Sequence, residues 1–239
     1  MTTFALGFVL LAAAILAAFA LPRRTMAGGT WLLLTAGCGL MAWIAVDAVA
    51  AGTEKTLTEL ALPLIGAFDF ELTPLAALFM FVTVAVFAVA LPLQLRDCLD
   101  WPRARRGAFI AFIVLTLAAM LALFTAASVV SFLFAWEIAA LGIWALVGFE
   151  TRKREPTAAG LLTIALSEAG SLAGLAGLLL LGFAARSPSL DAIAAAAPAL
   201  PPGIVAAGCL LTFFGFGMKA GVLPLNLWLP AAHGAAPRS

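Results

Sequence analysis

Seven stretches of this chain each run for about twenty residues almost without charge, and that constrains the fold more than any single motif. They are approximately Thr2–Leu21, Gly29–Ala51, Pro74–Leu95, Gly107–Phe124, Ser128–Phe149, Thr157–Ala184 and Gly203–Leu225. A hydrocarbon bilayer needs about 20 apolar residues per helical span. It also forces every backbone N–H and C=O to find its partner within the protein, which continuous helices do. Composition agrees: 64% of the residues are hydrophobic, 10% are charged and the mean hydropathy is +1.14, against about 45–50% and about 25% in a soluble domain. The expectation is an all-α integral membrane protein with seven spans. A formal net charge of +1 gives no basic surface for nucleic acid.

Loop charge sets the orientation. With the N-terminus outside, the inside segments hold Arg23, Arg24, Arg96, Arg103, Arg105, Arg106, Arg152, Lys153, Arg154 and Arg238, ten basic residues. The outside segments hold two, Arg186 and Lys55, the latter among Glu54, Glu59, Asp69 and Glu71. Basic residues collect on the cytoplasmic side, so the prediction is N-out and C-in. The first span ends in Ala-Phe-Ala like a secretory leader, but its arginines follow the apolar run. A leader carries its basic residues before that run, so the segment reads as a retained helix.

The connections fit seven spans. Asp100, Trp101 and Pro102 break the chain before the fourth, Thr125–Ala127 forms a tight turn, and Glu155-Pro156 opens the sixth. Leu190–Ala197 reads as a short interfacial helix, and Pro201 and Pro202 suit the first turn of the seventh span, where a missing N–H costs nothing. Cys38, Cys98 and Cys209 show no metal or redox spacing and read as small buried groups or an inert loop thiol. No metal-ligand cluster or glycine-rich nucleotide loop is present in the pattern, and no cofactor is expected.

Four charges lie within the spans: Asp47, Glu137, Glu168 and Lys219. A charge at a helix centre costs roughly 2.5 to 3.5 kcal/mol on insertion scales, so such residues face protein or a hydrated cavity. Asp47 lies about one turn from the outside end of its span and reads as an interfacial acid. Glu168 lies in SEAGSLAGLAG, where Ala169, Gly170, Ala173, Gly174 and Gly177 recur at helical spacing. Small residues let another helix approach, which points Glu168 into the bundle, for hydrogen bonding or for proton handling.

Glu137 stands near the centre of the fifth span among aromatic and aliphatic residues, with Ser131 the nearest polar neighbour. Desolvation favours the neutral form of an isolated buried acid or amine. Opposite charges side by side restore both, so Glu137 and Lys219 as partners would offset each other's burial. Such a pair is either a static ion pair or a switch, in which moving the carboxylate away releases the lysine's proton. Gly215, Gly217, Gly221 and Pro224 weaken the helix around Lys219, and broken helices at membrane depth line cavities and ion sites.

The strings SFLFAWEIAALGIWALVGFE and GFGMKAGVLPLNLWLPAAHGAAP resemble the antiporter-like, proton-conducting membrane subunits of respiratory complex I, Mrp sodium/proton antiporters, and membrane-bound hydrogenases of the hydrogenase-4 and formate hydrogenlyase type. The second string is nearest in wording to the hydrogenase-4 component B branch. The resemblance implies a broken seventh span and a charge-coupling pair, Glu137 with Lys219, with Glu168 as a further proton-pathway candidate. His233, in the WLPAAH stretch, is either a proton-pathway residue or an exposed terminal histidine. It further implies a multi-pass subunit of the bacterial inner membrane that binds no redox centre. Hydrogen, NADH or quinone chemistry would sit in a peripheral redox arm, with other membrane-arm subunits as partners. The implied division is 1–106, an N-terminal three-helix segment, and 107–239, a first and incomplete bundle of the fourth to seventh spans.

The sequence departs from that pattern. Relatives continue into an eighth span and a second inverted five-helix unit, whereas this sequence stops at Ser239. Asn226 stands where many relatives have histidine, Gly234 replaces a proline, and Arg238 interrupts the usual ending. The expectation is therefore the N-terminal half of a proton-translocating subunit, either truncated or working beside a second chain that supplies the other half. The alternatives are an Mrp-type cation/proton antiporter component and a non-conducting scaffold subunit.

Overall fold

The computed structural model describes residues 2–52, 54–62, 66–149, 158–223 and 226. Arg152–Arg154, Glu155-Pro156, Pro224, His233, Gly234 and Arg238, all used above, lie outside the described residues. Among the described residues, seven helices are long and apolar enough to cross a membrane, as the sequence predicts, and the protein is a multi-pass, mainly helical membrane protein. These are α1 (Thr2–Ala20), α2 (Arg23–Ala51), α3 (Pro74–Asp97), α4 (Arg103–Phe124), α5 (Val129–Phe149), α6 (Ala158–Ala185) and α8 (Pro202–Ala220). Between the last two lies the short α7 (Leu190–Ala196), followed by a 3-10 turn over Ala197–Ala199. A short helix is what the alanine-rich stretch leads one to expect there.

Two boundaries differ from the sequence reading, each for a local reason. α2 starts at Arg23 rather than Gly29 because Pro22, at φ −65°, serves as its N-cap and pre-sets the entry into the helix. The predicted loop shrinks to two residues, and Arg23 and Arg24 form the first helical turn. α8 stops at Ala220 rather than Leu225 because Gly221 adopts φ 70°, a left-handed conformation that glycine takes without penalty.

The acidic connection between α2 and α3 forms a β-hairpin. β1 (Lys55–Leu62) and β2 (Gly66–Leu72) pair antiparallel, with Lys55 opposite Leu72 and a bulge between Thr56 and Thr58. The signal was in the sequence: FDFEL alternates apolar and acidic residues with the period of two that marks a half-buried strand.

The chain divides into two compact units. The first comprises residues 1–126 and 134–146. Here α1 buries Leu11, Ala14 and Ala18 against Leu34, Cys38, Met41 and Ala45 of α2. Alternating spacings of three and four give each helix a narrow seam, as in left-handed membrane bundles. Leu57 and Leu72 of the hairpin join this core, and the Glu71 N–H donates to the Thr125 carbonyl at 2.6 Å. Asp47 accepts a hydrogen bond from the Lys55 ammonium at 2.7 Å, both side chains exposed. Arg103 donates through Nη2 to the Ala20 carbonyl at 2.6 Å and through Nε to that of Phe19. It thus supplies partners to the orphan carbonyls that end α1.

The second unit comprises residues 127–133 and 147–239. The start of α5 is tied to the loop after α6: the Val129 N–H donates to Pro188 O at 2.8 Å and the Leu190 N–H to Ala127 O at 3.0 Å. Ile193 of α7 packs with Val129 and Leu181. The main contact is α6 against α8, and glycine permits it. A Cβ on Gly177 would lie 2.7 Å from the Gly208 carbonyl and 2.8 Å from the Thr212 amide. A Cβ on Gly170 would lie 3.0 Å from the Gly215 carbonyl, and one on Gly215 would strike the Gly174 backbone. These neighbours are backbone and cannot turn aside.

Gly177→Ala is therefore expected to force the helices apart at a cost of about 1–3 kcal/mol. Gly39→Ala, where a Cβ meets nothing within 4 Å, should match or exceed the parent, since alanine is the better helix former by about 1 kcal/mol. Thermal unfolding in detergent, followed by the fraction remaining monodisperse, separates the two.

Cys98, just after α3, is fully buried, and burial pushes its thiol up to about 11 despite the nearby Arg106 charge. The thiolate is the reactive form, so it should resist maleimide at pH 7.5 in the folded protein and label fully on denaturation. Mass spectrometry of the labelled peptide reads this directly.

Candidate functional site

Lys219 is the centre of the second unit's polar chemistry. α8 ends one residue later in a closed motif: the Val222 N–H donates to the Gly217 carbonyl at 2.9 Å, and the Gly221 N–H to that of Met218 at 3.3 Å. This is the Schellman pattern, with glycine in the left-handed position. Lys219 therefore stands in the last turn, where the negative end of the helix dipole favours a cation.

The ammonium reaches across to α6. Lys219 Nζ donates to Ser171 Oγ at 3.0 Å, and Ser171 is 5% exposed. Ser171 lies halfway along a 28-residue helix, roughly 20 Å from either end at 1.5 Å per residue. The last turn of α8 thus delivers its charge to the middle of α6. The small-residue stripe read from the sequence makes this reach possible: Gly170, Gly174 and Gly177 all face α8. Of the two alanines in that stripe, Ala169 is exposed and Ala173 half-buried. Glu168 lies one turn before Ser171 on α6 and is half-buried.

Glu137 belongs to the first unit. On α5, Ala135, Ala139 and Gly142 are buried, and a Cβ on Gly142 would run into the Thr116 side chain of α4. Glu137 sits on another face, in register with the exposed Phe134, Leu141 and Trp144, at helical spacings of three and four residues. It is itself half-buried. Ser131, its nearest polar neighbour in sequence, pairs with Ser128 at 2.8 Å between hydroxyl oxygens. Ser128 also accepts the Ser131 N–H at 3.2 Å, capping the start of α5.

The structure therefore brings Lys219 to Ser171 and places Glu168 on the same unit, while Glu137 is carried by the other unit and His233 lies outside the described residues. Among the described residues, no group of three or more His, Cys, Asp or Glu gathers as metal ligands would. Ser171 was missed in the sequence because a serine within a glycine- and alanine-rich stripe reads as a packing residue. The available signal was its position three residues after Glu168 on the stripe's own face.

Residues 126–239 match the family model described as NADH:quinone oxidoreductase/Mrp antiporter, transmembrane. An uncharacterised protein of Mycobacterium tuberculosis is 37% identical over 180 residues, covering 74% of this chain and 26% of the relative. Hydrogenase-4 component B of Escherichia coli is 38% identical over 126 residues, 53% of this chain and 18% of the relative. This chain thus spans about a quarter or less of those relatives' length. Among solved structures, a chain of the archaeal membrane-bound sulfane sulfur reductase superposes with a TM-score of 0.82 at 21% identity, over 99% of this chain and 48% of that one. A chain of the Mrp complex from Dietzia superposes with 0.75 at 21% identity, over 99% of this chain and 25% of that one. At such identities the likeness concerns the fold. The resemblance drawn from the two motifs is borne out, with the family match lying over residues 126–239.

Ser171→Ala removes the acceptor from a charged donor, a bond worth about 1.5–3 kcal/mol. The expected result is a lower unfolding temperature in detergent for Ser171→Ala, with most of the loss recovered by Ser171→Thr, which keeps the hydroxyl.

Proposed function

We propose that this antiporter-like membrane subunit translocates protons as part of the membrane arm of a redox-driven complex of the hydrogenase-4, formate hydrogenlyase or complex I kind. The observation that carries this reading is the lysine in the last turn of α8, hydrogen-bonded at 3.0 Å to a buried serine halfway along its neighbour. A lysine whose only purpose is packing has no need of a hydroxyl halfway along a neighbouring apolar helix. At this site Lys219 is the proton carrier and Glu137 its charge partner. Movement of the carboxylate toward or away from the ammonium changes how tightly the lysine holds its proton, through Coulomb attraction in a medium of low dielectric. Glu168, one turn from Ser171, is the adjoining proton-pathway group, and His233 a further one beyond the described residues.

The orientation is N-out and C-in in a bacterial inner membrane, which puts the ten basic residues on the cytoplasmic side. The partners are other membrane-arm subunits and a peripheral arm that carries the redox chemistry, and the remaining half of the pathway comes from a second inverted unit. No cofactor is assigned to this chain.

In the assembled complex, Lys219→Ala is expected to abolish proton flux into inside-out vesicles while the complex still co-purifies in normal yield. Glu137→Gln should lower flux at least tenfold. Normal flux in Lys219→Ala would instead make the chain a scaffold. A flux that requires external sodium would assign it to a cation/proton antiporter.

A further inference from the structure

The end of α6 holds a backbone outlier. Arg186 adopts φ 54°, the one non-glycine residue with positive φ among the described residues. Its N–H donates to the Phe183 carbonyl at 3.2 Å and the Ser187 N–H to that of Gly182 at 3.1 Å. This is the same helix-ending motif that closes α8, with arginine in place of glycine. Glycine would close the helix with less strain, so the backbone offers no reason for an arginine. A residue held in a sparsely populated conformation points to a role for its side chain.

Beside it is a groove of about 450 Å³, within the size range of ligand pockets. It is lined by Val129 and Val130 of α5, Leu178, Leu179, Gly182 and Phe183 of α6, and Arg186 with the two residues that follow it. The walls are apolar, and Phe183 and Leu179 are exposed, so the groove opens where lipid tails would lie. The charged member of the lining is Arg186, and among the described residues no carboxylate forms an ion pair with its exposed side chain. It stands at the point where the apolar helix gives way to the loop carrying α7, the level of the headgroups. Ser187 Oγ, accepting the Ser189 N–H at 3.2 Å, keeps its own proton to donate.

We propose that this groove binds one anionic phospholipid, with an acyl chain along Val130, Leu178, Leu179 and Phe183 and the phosphodiester on the Arg186 guanidinium. The charge is complementary, since guanidinium pairs with phosphate oxygens in a planar two-point contact, and apolar walls below a cation match a lipid's own order of tail and head. A soluble anion would gain nothing from the walls, and a neutral lipid nothing from the arginine. The inference is independent of whether the chain moves protons.

The test uses the full-length protein, delipidated in detergent, with thermal unfolding and native mass spectrometry as readouts. Phosphatidylglycerol should raise the unfolding temperature by several degrees and leave one retained lipid, with phosphatidylcholine giving less than half that effect. Arg186→Gly, which relieves the left-handed strain, should be at least as stable without lipid yet lose most of the response. Leu179→Trp, which fills the groove and leaves Arg186 in place, should lose it as well. An equal response in wild type and Arg186→Gly, a full response in Leu179→Trp, no response in wild type, or equal stabilisation by inorganic phosphate would each overturn the proposal.

Discussion

The contact between α6 and α8 is the constraint on which the polar chemistry of this protein rests. Two helices without side chains at the crossing come close enough for backbone to meet backbone, and Gly170, Gly174, Gly177, Gly208 and Gly215 provide that crossing. In a bilayer the hydrophobic effect does not drive helices together, and close packing of small residues takes its place. One consequence is that a four-carbon lysine stem on α8 spans the gap to a hydroxyl on α6. With larger residues at the crossing, Lys219 would face its desolvation cost without Ser171.

The end of α8 adds a second consequence. Gly221 turns the backbone left-handed immediately after the lysine's turn, so the charge sits against the negative end of a helix dipole rather than in mid-helix. Three modest effects therefore act on one ammonium: a hydrogen bond, a dipole and a close neighbouring helix. Each is a local property of α6 or α8. The proposed coupling to Glu137 is of another kind, because that carboxylate rides on a helix segment assigned to the other unit, on a face shared with exposed apolar residues.

Much of the fold was legible because the bilayer reduces the choices. Apolar runs gave the spans, the prolines and Asp100-Trp101-Pro102 gave the breaks, and the small-residue stripe on α6 gave the packing face. What was not legible depended on tertiary register. Ser171 becomes a ligand for Lys219 only once α8 is placed beside α6 at one axial offset, which no spacing within α6 specifies. The hairpin over Lys55–Leu72 hid behind its acidic residues, although its second strand alternates cleanly. The ends of α2 and α8 were misplaced because Pro22 and Gly221 act through backbone angles and not through hydrophobicity. Glu137 and Lys219 stood out as candidates because charge is costly in lipid, and their positions in the two helices follow the sequence reading. Their proposed coupling is the part that no pattern within a single span contains.

The central claim is that the protonation of Lys219 answers to the carboxylate of Glu137. Its most direct test is nitrogen-15 NMR of the Lys219 side chain in the lipid-embedded protein, titrated across pH in the parent and in Glu137→Gln. The account predicts that the Lys219 titration moves when the carboxylate is neutralised. Superimposable titrations would contradict it, and would make Lys219 a cation whose protonation is independent of Glu137.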